Sequence, residues 1–279
     1  MGMSINTNLS ALNTYRNLNS TQNDLSKSLE KLSSGLRINR AADDAAGLSI
    51  SEGLKSQVGG LTVAARNAQD GISVVQTAEG GLTETHSILQ RMRDLAVQAG
   101  NDSNNADSRT AISTEVTELT KELTRISEST NFNGINLLDG SAGNAGVLKF
   151  QVGANGDAAS QIEVDLSGAN VATVAGDVTG LDFTTATGAQ AAIGKIDDAI
   201  KSVSTARSNI GAIQNRFDHA INVTNVAKEN LTAAGSRITD VDMAEEMVKY
   251  TRDNILSQAG TSMLAQANQS TQGVLSLLR

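Results

Sequence analysis

Two histidines, His86 and His219, and no cysteine make up the chain's stock of the commonest nucleophilic and metal-binding side chains. Neither histidine has a second imidazole at the i+4 spacing that puts two ligands on one helix face. His86 follows Leu82 by four residues and precedes Leu89 by three, so it lies on or beside an apolar helical stripe. His219 sits between Phe217 and Ile221 and is expected to face solvent. The acidic pairs Asp43-Asp44, Asp197-Asp198 and Glu245-Glu246 read as helix caps and solvated faces. Gly153 and Gly156 precede a strand, so they do not open a phosphate-binding helix. No Walker-type loop, nucleophile elbow or zinc pattern is found. The sequence therefore predicts no catalytic residue, no cofactor and no metal. The chain reads as a non-enzyme.

If the chain does no chemistry, its work lies in the elements themselves. The 279 residues include no Pro, no Cys, no Trp and only six aromatics, Tyr 2 and Phe 4. Such a core must be built from Leu, Ile, Val and Ala, which suits long helices packed along their length. The missing prolines agree, because an interior Pro costs a helix about 3 kcal/mol. With 30 acidic against 22 basic residues the net charge is −8, which argues against a nucleic-acid partner. No apolar run is long enough to span a membrane. The first residues show neither the basic nor the apolar region of a cleaved secretory signal, so any export is expected to proceed without one.

Helical periodicity dominates. Ile5, Leu9 and Leu12 are followed by Leu25, Leu29, Leu32 and Leu36. A second stripe runs Leu54, Val58, Leu61, Ala65, Ala68, Ile72, Val75, then Leu82, Leu89, Met92 and Leu95. A third reads Ile112, Val116, Leu119, Leu123, Ile126, and a fourth extends from Ile193 through Val203 and Phe217 to Leu231. A fifth begins Val241, Ala244, Val248, Thr251, Ile255, Ala259. Spacing of three and four sustained over several heptads predicts helices wrapped on one another. "AGNDSNNADS" marks the turn between the second and third helices. Further on the period changes to two. Leu148, Phe150 and Val152, then Ile162, Val164 and Leu166, alternate around Gly-rich "ANGDAAS" and predict a β-hairpin. From Gly168 to Gly188 a loop with short strands is expected. The fold class is mainly α: long antiparallel coiled-coil helices from both chain ends, with a small β-hairpin insertion.

Both ends are nearly free of charge. No side chain is charged at neutral pH before Arg16, and from Ser257 onward only Arg279 is. Burying an unpaired charge costs several kcal/mol, so neutrality suits segments enclosed on all sides. The ends also hold weak helix formers, such as Asn6, Asn8 and Asn13, or Gly260, Asn268 and Gly273. Alone they are expected to be disordered, gaining helix when partners supply packing. One chain cannot readily surround its own ends. Many copies in a non-closing head-to-tail array can.

At this point the residues resemble a known family, the bacterial flagellins. "LSSGLRINRAADDAAGLSIS", "QRMRDLAVQAGN", "TNFNGINLL", "FQVGAN" and the ending "ILSQAGTSMLAQANQSTQGVLSLLR" are similar to family motifs in the same order. The resemblance covers about 1–166 and 190–279 and leaves no room for large outer domains. It implies a minimal flagellin with three regions. Residues 1–43 and 238–279 would be terminal filament-core helices, disordered in the monomer. Residues 44–140 and 189–237 would form a helical middle domain, and 141–188 its β-hairpin and loop.

The same resemblance implies a structural subunit that polymerises into the flagellar filament for swimming motility. Its terminal helices would pack around a central bore through Ile5, Leu9, Leu12, Leu25, Leu29, Leu32, Ile255, Ala259, Met263, Leu264, Val274, Leu275, Leu277 and Leu278. It implies type III export directed by an uncleaved N-terminal segment, an extracellular location, and an export chaperone at the C-terminal segment. Hook-junction and cap proteins would be further partners. An inter-subunit surface, also read by Toll-like receptor 5 in animal hosts, would involve Gln90, Arg91, Arg93, Asp94, Leu95, Gln98 and Glu115. Charge pattern alone reads these as an ordinary solvated helix face. Asp94 stands where glutamate is common in the family, which shortens the acidic reach. The rival readings are a hook–filament junction protein and a coiled-coil scaffold; the latter would be expected to carry charge along its terminal helices.

Overall fold

The computed structural model describes residues 8–277, with side chains to residue 269. Six α-helices and two antiparallel strand pairs follow in the order α1 (Leu9–Ser34), α2 (Ala45–Ala99), α3 (Ala106–Ser129), β1 (Asn131–Phe132), β2 (Ile135–Asn136), β3 (Val147–Gln151), β4 (Gln161–Asp165), α4 (Val171–Val178), α5 (Ala186–Thr239) and α6 (Met243–Leu277). The chain divides into two compact units. One, the terminal unit, contains residues up to Ser56 and from Asn230 onward; the other, the middle unit, spans Gln57–Glu229. The long helices α2 and α5 contribute to both.

The helix boundaries have local causes. Asn8 caps α1 by accepting the Ala11 N–H at 3.0 Å, and the Gly35 N–H closes its last turn on the Lys31 carbonyl. The expected acidic cap of α2 is present: Asp44 Oδ1 accepts the Gly47 N–H at 2.8 Å. Its neighbour Asp43 accepts the Asn39 and Arg40 N–H groups and fixes the turn before it. Asn105 caps α3 through the Ser108 N–H, ending the predicted Asn-rich turn.

The core of the middle unit is built from the predicted stripes. Leu82, Leu89, Met92 and Leu95 of α2 are buried with Leu123 of α3 and Ile196, Ile210 and Phe217 of α5. Leu137, Leu138, Leu166 and Phe183 from the insertion complete it. The predicted hairpin is β3–β4, antiparallel, with Leu148 opposite Val164 and Phe150 opposite Ile162. Phe150 meets Phe217 edge-on, ring centroids 5.6 Å apart. The Phe217 ring lies so near α2 that a Cβ built on Gly71 would stand 2.6 Å from it, so only glycine fits there.

Two elements differ from expectation. The segment after the hairpin is a helix, α4, preceded by a short 3₁₀ turn at Ser167–Ala169. The Asn170 side chain caps it through the Thr173 N–H, and Val171, Val174, Ala175 and Val178 bury one face. Burial of that stripe overrides the strand preference of valine and threonine. Before β3, "NFNGIN" forms a second hairpin, β1–β2, pairing Phe132 with Ile135. Its turn is Asn133-Gly134, both at positive φ (50° and 78°), which is the Asn-Gly two-residue turn.

Candidate assembly surfaces

Within the terminal unit, α1 and α6 run antiparallel. Asn8 Nδ2 donates to the Ala267 carbonyl at 2.9 Å, and a Cβ on Gly260 would sit 3.2 Å from Leu18. At the other end Leu36 bridges to Asp240, the Arg37 N–H donates to Thr239 at 2.6 Å, and the Arg37 guanidinium reaches the Ile238 carbonyl. Asn8 thus both caps one helix and ties it to its partner.

The residues turned toward this pairing recur at alternating steps of three and four. On α1 they are Ala11, Thr14, Leu18, Thr21, Leu25, Ser28 and Leu32. On α6 they are Glu246, Tyr250, Asp253, Ser257, Gly260, Leu264 and Ala267. This is coiled-coil spacing filled largely with small and polar side chains. Leu18, Leu25, Leu32 and Leu264 are the large aliphatic residues of the seam, and the others point away from it. Leu9, Leu12, Tyr15 and Leu29 of α1 are exposed, as are Met247, Val248, Ile255, Leu256 and Met263 of α6. Val248 is 62% and Ile255 61% exposed. Met247, Val248, Thr251, Arg252, Ile255 and Leu256 line an open groove on this face.

Val248, Thr251, Ile255 and Ala259 of the fifth predicted stripe are exposed, and a different register of α6 meets α1. Close approach of two helices favours small residues in the seam, whereas the apolar stripe is left for another surface. Among the residues expected to pack a filament core, Leu25, Leu32 and Leu264 are half-buried in the seam. Leu9, Leu12, Leu29, Ile255, Ala259 and Met263 lie on the exposed side. Ile5 and Leu278 lie outside the described residues, as do the side chains of Val274, Leu275 and Leu277. Glu246, read from sequence as a cap or a solvated face, is buried at 7% exposure, because its place in the heptad turns it into the seam. The α6 cap is Asp242, which accepts the Ala244 N–H at 2.9 Å.

The middle unit carries a charged strip on α2. Arg91 pairs with Glu115 of α3 at 2.7 Å, and Arg93 with Asp197 of α5 at 2.6 Å. The Asp197 carboxylate, by hydrogen bond and then by charge, holds the Arg93 guanidinium more firmly protonated than usual. Gln90, Asp94 and Gln98 are exposed along the same stretch. Leu95 is 2% exposed and packs into the core beneath them, so it supports the strip instead of lining its surface. Asp197 was not among the predicted site residues. Only helix pairing brings it to Arg93, 104 positions away, and no local pattern announces that. His86 Nε2 lies 2.9 Å from the Gln90 amide nitrogen with Nδ1 buried, and His219 is exposed as expected. Among the described residues no cluster of three or more His, Cys, Asp or Glu could hold a metal, and no helix is long and apolar enough to cross a membrane.

A helix pair with its apolar side outward and a strip of surface ion pairs describe a building element. The family model for the bacterial flagellin N-terminal helical region matches residues 5–143, and that for the C-terminal helical region matches 193–278. The chain belongs to the bacterial flagellin family. It is 51% identical over 277 residues to the flagellin of Halalkalibacterium halodurans, covering 99% of this chain and 100% of that one. It is 47% identical over 286 residues to the flagellar filament 33 kDa core protein of Treponema phagedenis, again across 99% and 100%. A solved flagellar hook-associated protein of Vibrio parahaemolyticus shares the fold, with a TM-score of 0.57 over 71% of this chain and all of that one, at 15% identity. Full coverage of such relatives accords with a small flagellin that lacks large outer domains. Flagellins are structural proteins that form the flagellar filament, which lies outside the cell; this chain is a structural subunit of that filament.

Proposed function

We propose that the exposed apolar face of α1 and α6 is the surface through which the subunit packs against copies of itself, as the innermost layer around the filament bore. The observation that carries this reading is the inverted pairing. The seam holds Ser28, Thr21, Ser257 and Gly260, while Leu9, Leu12, Val248, Ile255 and Leu256 face away from it. Exposed apolar residues gathered along a helix, as in the α6 groove, mark an interaction site. The uncharged sequence on both sides of it supports enclosure by further subunits. Because the seam mixes its leucines with small residues and two carboxylates, the two helices depend on assembly for their stability, and in the free monomer the terminal segments are largely unfolded.

Ile255→Glu tests the reading, since it sets a charge into the face while leaving residues 57–229 untouched. The expected result is a protein whose middle unit melts normally but that forms no filaments on salting out, as seen by electron microscopy. Long uniform filaments from this variant would overturn the assignment.

The charged strip supports a second role. The ion pairs Arg91–Glu115 and Arg93–Asp197, with the exposed Gln90, Asp94 and Gln98 beside them, suit an axial contact between subunits and recognition by Toll-like receptor 5. Export through the flagellar type III apparatus without a cleaved signal, a chaperone on the C-terminal segment, and hook-junction and cap proteins at the filament ends complete the proposal. These last rest on the family resemblance.

A further inference from the structure

Glu246 and Asp253 are 7% and 9% exposed, and both lie in the seam of α6 that meets α1. Glu246 Oε1 and Asp253 Oδ2 are buried with no hydrogen-bond partner, and so is the Ser28 hydroxyl on the facing side of α1. Among the described residues neither carboxylate belongs to an ion pair: the bridges of the terminal unit join Arg40 to Glu30 and Lys55 to Glu52. Both acids occupy positions that a stable coiled coil fills with Leu, Ile or Val. A carboxylate oxygen buried without a hydrogen bond opposes folding, because it loses water and gains no partner.

The cation supply makes this more pointed. Lys27 and Lys31 lie on α1, and Lys249 and Arg252 on α6 beside the two acids, yet none forms an ion pair with them. Heptad geometry explains why. Lys249 and Arg252 sit three and one residues from Glu246 and Asp253 respectively, at positions that turn them to the exposed side.

We infer that Glu246 and Asp253 are a built-in brake on the terminal helix pair, setting how much of the free subunit is competent to assemble. This inference rests on the proposed role of the α1–α6 face but concerns a different surface, the seam. Pairing of α1 with α6 must precede or accompany packing of their outer face. Apparent affinity for the growing end is then reduced by the fraction of subunits in which the pair has formed. Two carboxylates, each with a buried and unpartnered oxygen, lower that fraction. Packing of the outer face supplies the stabilisation that overcomes them, so the pair forms mainly where other subunits already stand.

The test uses the full-length protein as monomer, below the concentration at which it assembles. Hydrogen exchange read by mass spectrometry reports protection of 9–34 and 243–269 separately from the middle unit. Glu246→Leu with Asp253→Leu should raise protection in both segments and lower the critical concentration for assembly about tenfold, equivalent to about 1.4 kcal/mol. The amide pair Glu246→Gln with Asp253→Asn should act in the same direction to a smaller extent. Unchanged or reduced protection in the leucine variant overturns the inference. So does protection by leucine with none from the amides, since added apolar surface and not charge would then be responsible. Exchange in the monomer does not require polymerisation. Filaments from Ile255→Glu would therefore defeat the outer-face reading and leave this result standing.

Discussion

The two units use the same helical period in opposite ways. In the middle unit, Leu82, Leu89, Met92 and Leu95 recur along α2 and all are buried within the chain's own core. In the terminal unit, Leu9, Leu12 and Leu29 of α1, with Val248 and Ile255 of α6, lie on long helices as well and are exposed. The middle unit encloses most of its large apolar residues. The terminal unit leaves many of its own exposed, and its seam mixes Leu18, Leu25, Leu32 and Leu264 with Ser28, Ser257, Gly260 and two acids. Apolar periodicity therefore identifies a helix that needs a partner without saying whether that partner belongs to the same chain.

Paired truncations should separate the units most widely. Leu89→Ala is expected to destabilise the monomer by about 2–5 kcal/mol, the usual cost of a cavity in a packed core. Leu256→Ala, of equal chemistry, should change monomer stability by no more than about 0.5 kcal/mol, as for an exposed site, while weakening assembly. Thermal melting of the two variants checks this. Equal losses would erase the distinction between the units.

A smaller effect is expected from the surface strip. Arg91 and Glu115 are both about half exposed, and such pairs contribute roughly 0–1 kcal/mol. Arg91→Ala should therefore leave the melting temperature nearly unchanged and shift the Toll-like receptor 5 dose response of depolymerised protein to higher concentration. An unchanged dose response would remove Arg91 from the receptor surface.

The smallest effect concerns acid. In the loops of the middle unit, the carboxyls of Asp139, Asp165 and Asp182 are held below their ordinary value of 3.8 by bonds from Ser141, Ser167 and Thr184. A depressed native value means the stabilisation is complete above the unfolded value and fades as pH falls through the native one. Melting of the middle unit should thus soften only below about pH 3.8, the ordinary value for Asp139. Asp139→Asn should remove part of that slope. A slope identical to that of the parent would show that the Ser141 bonds carry no linkage.

Much of this was legible in the residues. The stripes of α2, α3 and α5, the β3–β4 alternation around Phe150 and Ile162, and the Asp44 cap all follow from spacing that a single chain segment contains. The helix at Val171–Val178 was not legible, because its valines and threonine favour strands and only burial of one face decides otherwise. The Asn133-Gly134 turn had a readable signal in its dipeptide. The site divides in the same way. Arg91 and Arg93 stand out in the sequence, but the partnership of Arg93 with Asp197 depends on helices meeting across 104 positions.

By itself the sequence determined that the chain is helical and keeps uncharged ends suited to enclosure, because periodicity, composition and charge act locally. Only the tertiary structure decided which face of each terminal helix meets the other. That choice depends on how closely two backbones approach. Gly260 against Leu18 draws α6 onto α1 by its small side, which turns Ile255 and Leu256 outward and Glu246 and Asp253 inward.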